Sequence, residues 1–248
     1  MKFLGIIPAR YSSSRFPGKP LAMLGGKPVI QHVYERVKSV LTDVYVATDN
    51  AHIYKVVTDF GGKAIMTREE HDSGTERVCE ALDKIEGKFD IVINIQGDEP
   101  FIQSKQIKML MSSFADEQTQ IATLGVPLKS MDDVSKSNTP KIVIDNHNNA
   151  LYFSRSVIPF VRGINQSDWL SHYPFLKHVG LYAYRTETLR EISKLPLSSL
   201  ELAERLEQLR WLQNGYRIKV CITDIETISI DTPQDLVNAE EYLKQINL

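Results

Sequence analysis

The sequence predicts an α/β protein with a doubly wound, mostly parallel sheet, and three observations lead to this prediction. Short apolar runs alternate with segments of helical periodicity, the β-α-β-α order of a sheet covered by helices on both faces. One run, Ile91–Ile95, is apolar without interruption, as expected for a central parallel strand. The 248 residues, 42% of them hydrophobic, are sufficient for a sizeable core.

Proline, glycine and serine set the bounds of the elements in the first half of the chain. Pro28 suits the first position of a helix, Gly61 follows the end of another, and Ser104 has the side chain of an N-cap. We predict strands over Lys2–Ile7, Val44–Ala47, Lys63–Met66, Ile91–Ile95 and Ile121–Val126, and helices from Pro28, over Ala51–Phe60, over Ser73–Ile85 and from Ser104 through Phe114.

The alternation breaks between about residues 127 and 200, where three strand-like runs lack long helices between them. These runs are Lys141–Asp145, Leu151–Phe153 and His178–Tyr184. We therefore predict one domain over 1–248 with an inserted mixed subdomain at about 127–200, whose loop-like stretch Pro159–Pro174 is a candidate dimer contact. The α/β pattern then resumes with a helix near 200–213, strands at 217–222 and 227–230, and a final helix after Pro233.

Charge is distributed unevenly, although 29 Lys and Arg nearly balance 31 Asp and Glu. Residues 1–34 contain no carboxylate, and Arg10, Arg15 and Lys19 all lie in the segment Pro8–Pro20 that follows the first predicted strand. Ligands of open α/β sheets bind beyond the carboxyl ends of the strands, and arginine and lysine suit phosphate oxygens. The pattern indicates a triphosphate site, with a solvated basic loop as the alternative. The small net charge argues against a protein that coats nucleic acid.

Two acidic residues follow predicted strands and are candidate ligands of Mg²⁺. Asp98 lies in Gln96–Pro100, directly after the apolar run, and Asp231 precedes the last helix. Magnesium prefers one or two carboxylates together with phosphate oxygens and water. An ordinary turn is the alternative for Asp98, and helix capping is the alternative for Asp231.

The remaining polar motifs are ambiguous one by one. Ser73 and Gly74 stand where a helix begins, so they can cap it or contact a base or ribose. A single histidine such as His178 is more often structural than functional. No Walker A loop, dinucleotide fingerprint, zinc spacing or nucleophile elbow occurs. Two cysteines, no signal peptide and no long apolar stretch predict a cytoplasmic protein that does not associate with membranes.

Taken together and in this order, the motifs resemble the 3-deoxy-manno-octulosonate (Kdo) cytidylyltransferases, the CMP-Kdo synthetases of lipopolysaccharide assembly. The resemblance runs over essentially the whole chain, and Glu76 stands where we would expect Asp. The motifs that carry it are Pro8–Pro20, Ser73–Thr75, Gln96–Pro100, Leu151–Arg155, Lys177–Arg185, Leu206–Arg210 and Asp231–Asp235.

The resemblance implies a GT-A-like nucleotidyltransferase fold, a homodimer, and CTP, Kdo and Mg²⁺ as ligands. The C2 hydroxyl of Kdo would attack the α-phosphorus of CTP, and pyrophosphate would leave. Candidate catalytic residues are Arg10, Lys19, Asp98 and Asp231, of which Asp98 and Asp231 would hold the metal. Candidate nucleotide contacts are Ala9, Arg10, Arg15, Lys19, Ser73, Gly74 and Arg77. Candidate sugar-acid contacts are Gln96, Arg155, His178, Tyr184, Glu207 and Gln208, with Arg155 paired to the Kdo carboxylate.

Other interpretations of the function remain open. The sequence separates Kdo poorly from 8-amino-Kdo, and a CMP-sialic acid synthetase is a further alternative. A regulatory or scaffold protein that kept the fold and lost catalysis is disfavoured, because Lys19, Asp98 and Asp231 are retained.

Overall fold

The computed structural model describes residues 1–12, 15–71 and 73–246. Ser13, Ser14 and Asp72, which belong to two of the motifs, lie outside the described residues. The chain forms two compact units. The first joins Met1–Lys108 to the C-terminal segment that begins at Glu226, and the second is Met109–Ile225. The predicted insertion at 127–200 lies inside the second unit, and the single-domain organisation stays a prediction.

Strands and helices alternate through the first unit. Its elements are β1 (Phe3–Ala9), β2 (Met23–Leu24), β3 (Lys27–Pro28), α1 (Val29–Lys38), β4 (Asp43–Thr48), α2 (Ala51–Asp59), β5 (Ala64–Met66), α3 (Gly74–Lys84), β6 (Ile91–Asn94) and α4 (Ser104–Ser113), whose last residues belong to the second unit. The second unit contains β7 (Ile121–Pro127), α5 (Met131–Ser135), β8 (Lys141–Ile144), β9 (Ala150–Ser154), α6 (Trp169–His172), β10 (Leu176–Arg185), α7 (Thr186–Ile192), α8 (Ser199–Glu204), α9 (Gln208–Gln213) and β11 (Ile218–Ile222), and α10 (Pro233–Ile246) returns to the first.

A parallel sheet forms the centre of the first unit. Strand β1 pairs with β4 on one side and β6 on the other, and β4 pairs with β5, all in parallel. Leu4, Ile6 and Ile7 of β1 are fully buried, as expected of a strand covered on both faces. Because the strands are parallel, the loops after β1, β5 and β6 leave from the same edge of the sheet.

The second unit contains a mixed sheet. Strand β7 pairs in parallel with β11 and antiparallel with β10, while β8 pairs antiparallel with β9 and β10. The register of β10 against β7 shifts between Val179 and Tyr182. An α/β fold with a mostly parallel central sheet is therefore confirmed.

Polar caps define the starts of helices in the first unit. The Asn50 carboxamide oxygen accepts from the N–H groups of His52 and Ile53, at 2.9 and 3.1 Å, where α2 begins. The Ser73 hydroxyl accepts from the Glu76 N–H at 3.2 Å where α3 begins. Ser73 is thus the N-cap of α3 rather than its first helical residue.

Two predicted elements are wrong. The helix near 200–213 is two helices, α8 and α9, since Arg205 takes the left-handed conformation with φ 52°. The break leaves Leu202 exposed while Leu206 and Leu209 are buried, so the apolar stripe does not continue through it. The stretch 227–230 is not a strand, although its last N–H, that of Ile230, donates to the Asp98 carbonyl at 2.9 Å.

Both cysteines, Cys79 and Cys221, are free thiols. Across the part of the chain that the structure describes, no helix is both long and apolar enough to cross a bilayer.

Candidate active site

A polar cavity of about 330 Å³ opens at the carboxyl edge of the first unit's sheet. It is formed by the loops that follow β1, β5 and β6 and by the start of α3. All seven candidate nucleotide contacts line it, together with Gln96 and Asp98. The full lining is Pro8, Ala9, Arg10, Arg15, Lys19, Pro20, His71, Ser73, Gly74, Arg77, Gln96, Gly97 and Asp98.

Lys19 joins the two predicted metal ligands. Its ammonium donates to the carboxylate of Asp98 and, at 3.1 Å, to Oδ1 of Asp231. Burial by itself would lower the pKa of Lys19, but the attraction of Asp98 and the hydrogen bonds to Asp98 and Asp231 outweigh it and raise this pKa above 10.5. Lys19 is therefore fully charged near neutral pH.

A second cation, Arg15, contacts one of these two carboxylates, that of Asp231. Nη2 of Arg15 lies 3.1 Å from Oδ1 of Asp231, the oxygen that Lys19 also contacts. The Arg15 side chain is largely exposed, whereas that of Lys19 is mostly covered. Arg15, Lys19 and Asp98 line the cavity, whereas Asp231 is not among its lining residues and joins the group through its contacts with Arg15 and Lys19.

Gly18 allows the loop to deliver Lys19 to this point. Its φ of 71° is left-handed, and its N–H donates to the Tyr11 carbonyl at 2.9 Å. A Cβ at this position would also lie 3.2 Å from the Tyr11 ring. Glycine meets both requirements, and Lys19 follows at the start of a short 3₁₀ turn, Lys19–Leu21.

Asp98 and Asp231 are brought together by main-chain contacts. A Cβ on Gly97 would lie 2.9 Å from the Pro8 carbonyl oxygen. Only glycine therefore lets the loop after β6 approach β1 this closely. The Asp98 carbonyl then accepts from the Ile230 N–H, which fixes Asp231 beside it. Asp235 completes this turn, since its Oδ2 accepts from the N–H groups of Asp231 and Thr232, at 3.1 and 2.8 Å.

Arg77 lines the cavity, but its guanidinium is bonded within the protein. Nη1 donates to the Thr67 hydroxyl at 2.6 Å and to the Arg68 carbonyl at 3.0 Å, and Nη2 donates to Asp49 at 2.7 Å. The residue is only 4% exposed. These bonds hold the segment before α3 in place. Neither the charge of Arg77 nor its position in the sequence predicts this function.

Arg155, in the second unit, also makes contacts that the sequence does not indicate. Nε donates to the Glu204 carbonyl at 2.7 Å, Nη1 to the Ser137 carbonyl at 3.1 Å and Nη2 to the Arg205 carbonyl at 3.2 Å. Arg155 thus ties the loop before β8 to the junction between α8 and α9, and three of its five N–H groups are committed to these carbonyls.

His178 lies on β10 among uncharged groups. Burial lowers the pKa of His178 to about 3, so the ring is neutral at neutral pH. The Thr123 hydroxyl donates to the Leu181 carbonyl at 2.9 Å and accepts from His178 Nε2 at 3.1 Å. The ring also packs edge-on against Phe153, with centroids 5.3 Å apart.

The other sugar-acid candidates of the second unit are largely enclosed. Tyr184 is fully buried and stacks on Tyr182, with its ring centroid 5.6 Å from Trp211. Gln208 is buried, and its Nε2 has no hydrogen-bond partner among the described residues. Glu207 is half-buried at the start of α9.

The sequence does not predict that His71 and Glu80 contribute to the cavity. His71 lines it, and Glu80 of α3 bonds His71 from behind. The only signal in the sequence is the position of His71 in the motif His71–Arg77, between a strand and a helix. Glu80 gives no signal, because an acidic residue in a helix is usually on its solvated face.

Known proteins resemble the chain closely. A family model described as Cytidylyltransferase matches residues 4–222. A 3-deoxy-manno-octulosonate cytidylyltransferase of Bacteroides thetaiotaomicron is 61% identical over 98% of this chain and 99% of its own length. An 8-amino-3,8-dideoxy-manno-octulosonate cytidylyltransferase of Shewanella pealeana is 48% identical over 96% of this chain and 97% of its own. A solved CMP:2-keto-3-deoxy-manno-octonic acid synthetase complexed with CTP superposes with a TM-score of 0.92 at 43% identity, covering 99% of this chain and 100% of that one.

Proposed function

This chain belongs to the 3-deoxy-manno-octulosonate cytidylyltransferase family, and from that premise we propose that it activates Kdo with CTP for lipopolysaccharide synthesis. The C2 hydroxyl oxygen of Kdo forms a bond to the α-phosphorus of CTP. The bond from that phosphorus to the bridging oxygen breaks, pyrophosphate leaves, and the hydroxyl proton is lost to solvent or to a base that we do not assign. The observation that carries the proposal is that Arg15, Lys19 and Asp98 line one cavity, while Asp231 pairs with both of these cations.

The cations of the loop after β1 are assigned to the nucleotide. Arg10, Arg15 and Lys19 bind the triphosphate and stabilise the charge that grows on the leaving pyrophosphate, since such transfers depend mainly on position and electrostatics. Ala9, Ser73 and Gly74 offer main chain and a hydroxyl at the same cavity for the cytidine. We keep Arg77 among the residues proposed to bind the nucleotide. It would act by holding the cavity wall in place.

Asp98 and Asp231 fit a magnesium ion bound together with the nucleotide. Both carboxylates already contact one ammonium, that of Lys19, so they favour positive charge at a single point. No cluster of three or more candidate metal ligands occurs among the described side chains, so phosphate oxygens and water would complete the shell, as magnesium prefers. When bound, the ion supplies charge neutralisation at the α-phosphate. The protein's own task is to hold the two carboxylates beside Lys19.

The sugar acid is assigned to polar groups of the second unit. We propose Arg155, His178, Tyr184, Glu207 and Gln208 as its contacts, with Arg155 directed at the carboxylate. The unpartnered Nε2 of Gln208 supports this assignment, because a buried amide without a partner is costly unless a ligand satisfies it. Gln96, which lines the cavity of the first unit, is the remaining candidate.

We further propose a cytoplasmic homodimer. Phe160 supports the dimer, because the residue is 74% exposed and its ring packs edge-on against Trp169, with centroids 5.2 Å apart. A second copy would cover this arrangement. Two free thiols fit a reducing compartment.

Pyrophosphate release tests the function directly. CTP, UTP, ATP and GTP are each combined with Kdo, 8-amino-Kdo and sialic acid, in EDTA and after Mg²⁺ is restored. We expect release with CTP and Kdo only when Mg²⁺ is present. Preference for 8-amino-Kdo, the substrate named for the Shewanella relative, would reassign the sugar, and no release with CTP and any acid would contradict the proposal.

A further inference from the structure

The segment between β5 and α3 forms one wall of the nucleotide cavity. We call residues 67–71 the wall segment, and it leads to Ser73 and Gly74, which line the cavity with His71. The Thr67 N–H donates to the Thr48 carbonyl at 2.8 Å, which fixes the start of the segment at the end of β4. The rest of the wall segment has no strand or helix of its own, so side chains must hold it.

Two side chains of α3 hold the wall segment from behind. Arg77 donates to Thr67, to the Arg68 carbonyl and, at 3.4 Å, to the Glu69 carbonyl. Glu80 accepts from the Arg68 N–H at 3.1 Å, from Arg68 Nε at 3.3 Å and from His71 Nε2 at 2.5 Å. Arg77 therefore holds Thr67, Arg68 and Glu69, and Glu80 holds Arg68 and His71.

Glu80 is an ionised acceptor near neutral pH. Burial would raise the pKa of Glu80, but hydrogen bonds from Lys84, Arg68 and His71 outweigh it and lower this pKa to about 2. Since a carboxylate only accepts, His71 Nε2 carries the proton in this contact.

His71 depends on Glu80 for its orientation. Its side chain is 2% exposed, although the residue as a whole is partly exposed, so it presents mainly main chain to the cavity. Its Nδ1 has no hydrogen-bond partner among the described residues, and the nearest charged atom, Oε2 of Glu76, is 3.7 Å away. The bond to Glu80 is thus the contact that sets the ring and, through it, the main chain of His71.

We propose that Glu80 is a positioning residue for the nucleotide, which acts through His71 to fix the main chain of the wall segment against the base or ribose of CTP. This inference rests on the proposed function. Glu80 does not line the cavity, so we expect its effect to fall on CTP affinity and to leave the chemical step and the affinity for the acid substrate unchanged.

The test compares Glu80→Gln with Glu35→Gln. Glu35 of α1 is a matched control, because it also accepts two side-chain hydrogen bonds, from Lys27 at 2.7 Å and Gln31 at 2.8 Å, and it does not line the cavity. We expect Glu80→Gln to raise the Kd of CTP, measured by calorimetry, about 10-fold. Turnover at saturating CTP and the KM for Kdo should stay within about twofold of wild type. Glu35→Gln should leave all three values unchanged.

Two variants of His71 test whether the effect passes through this ring. The amide nitrogen of His71→Gln can occupy the place of Nε2 and keep the bond to Glu80, whereas the shorter His71→Asn cannot. We expect CTP affinity near wild type for His71→Gln and a loss like that of Glu80→Gln for His71→Asn. Combining Glu80→Gln with His71→Asn should add little further loss, since both variants weaken the same Glu80–His71 contact.

The outcomes separate this inference from the proposed function. If the wild-type protein does not bind CTP, the proposed function fails. If it binds CTP and Glu80→Gln binds it equally well, Glu80 has no positioning function. An additive loss in the double variant, or a fall in turnover without a change in CTP affinity, would likewise overturn the inference.

Discussion

At the scale of single residues, Lys19 pairs with Asp98 and Asp231, the two carboxylates that we propose as metal ligands. We expect Asp98→Asn to lower kcat/KM about 100- to 1,000-fold, because the variant removes one of two charges proposed to hold the ion against the phosphate. The melting temperature should change little, since Lys19 keeps Asp231 as a partner.

Asp133→Asn is the matched control for this variant. Asp133 is an exposed carboxylate that also pairs with a lysine, Lys136, at 2.7 Å. Its loss should leave turnover unchanged. Near-normal rates in Asp98→Asn, measured as pyrophosphate release, would remove Asp98 from the catalytic set.

His178 links a single ring to the acid stability of the protein. Its pKa is about 3 when folded against an ordinary value of 6.5, so the unfolded chain binds an additional proton as the pH falls below 6.5. Stability should therefore decline in that range, by up to about 1.4 kcal/mol per pH unit from this one group. In urea unfolding between pH 7 and 4.5, His178→Gln should show a shallower decline than wild type. Parallel curves for the two proteins would mean that the ring is not buried in its neutral form.

The sequence predicts which side chains lie at the cavity better than it predicts which groups those side chains hydrogen-bond. Arg10, Arg15, Lys19 and Asp98 follow strands of a parallel sheet, so their common edge is predictable. Arg77 and Arg155 have the same charge, yet they bond main-chain carbonyls. Every residue carries a carbonyl, so only the folded path of the chain determines which of them an arginine meets.

At the scale of elements, the junction between α8 and α9 depends on a left-handed residue that is not glycine. Arg205 has φ 52°, a conformation that costs an ordinary side chain on the order of 1 kcal/mol. We expect Arg205→Gly to raise the melting temperature by about 2–4 °C. Asn148→Gly, at φ 59°, should have a smaller effect because asparagine tolerates this region. Calorimetry that finds Arg205→Gly destabilising would show that the side chain contributes more than the strain costs.

The same junction explains why one long helix was predicted. Leu202, Leu206 and Leu209 have helical spacing, and no glycine or proline interrupts them, so local periodicity favours continuity. The break is stabilised from outside by Arg155, which donates to the carbonyls of Glu204 and Arg205. A contact this distant in sequence leaves no local signal.

At the scale of the whole molecule, the proposed dimer can be tested by measuring the mass of the protein in solution. Phe160→Asp places a charge where an apolar ring would be covered by a second copy, so we expect it to shift the protein from dimer to monomer in light scattering after gel filtration. Leu151→Asp, at another exposed apolar residue of the second unit, serves as the control and should stay dimeric. A monomeric wild-type protein would contradict the dimer itself.

The positions of Lys19, Asp98 and Asp231 along the chain also determine the order in which these charges are synthesised. Asp98 follows Lys19 by 79 positions, but Asp231 follows Lys19 by 212. During synthesis on the ribosome, the loop cations are therefore made long before the second carboxylate, which arrives with the segment leading to α10. A nascent chain that stops before Asp231 carries Arg10 and Lys19, yet it lacks the pair of acids. Under the proposed function, competence for transfer would thus be acquired only after Asp231 is translated, 212 positions after Lys19.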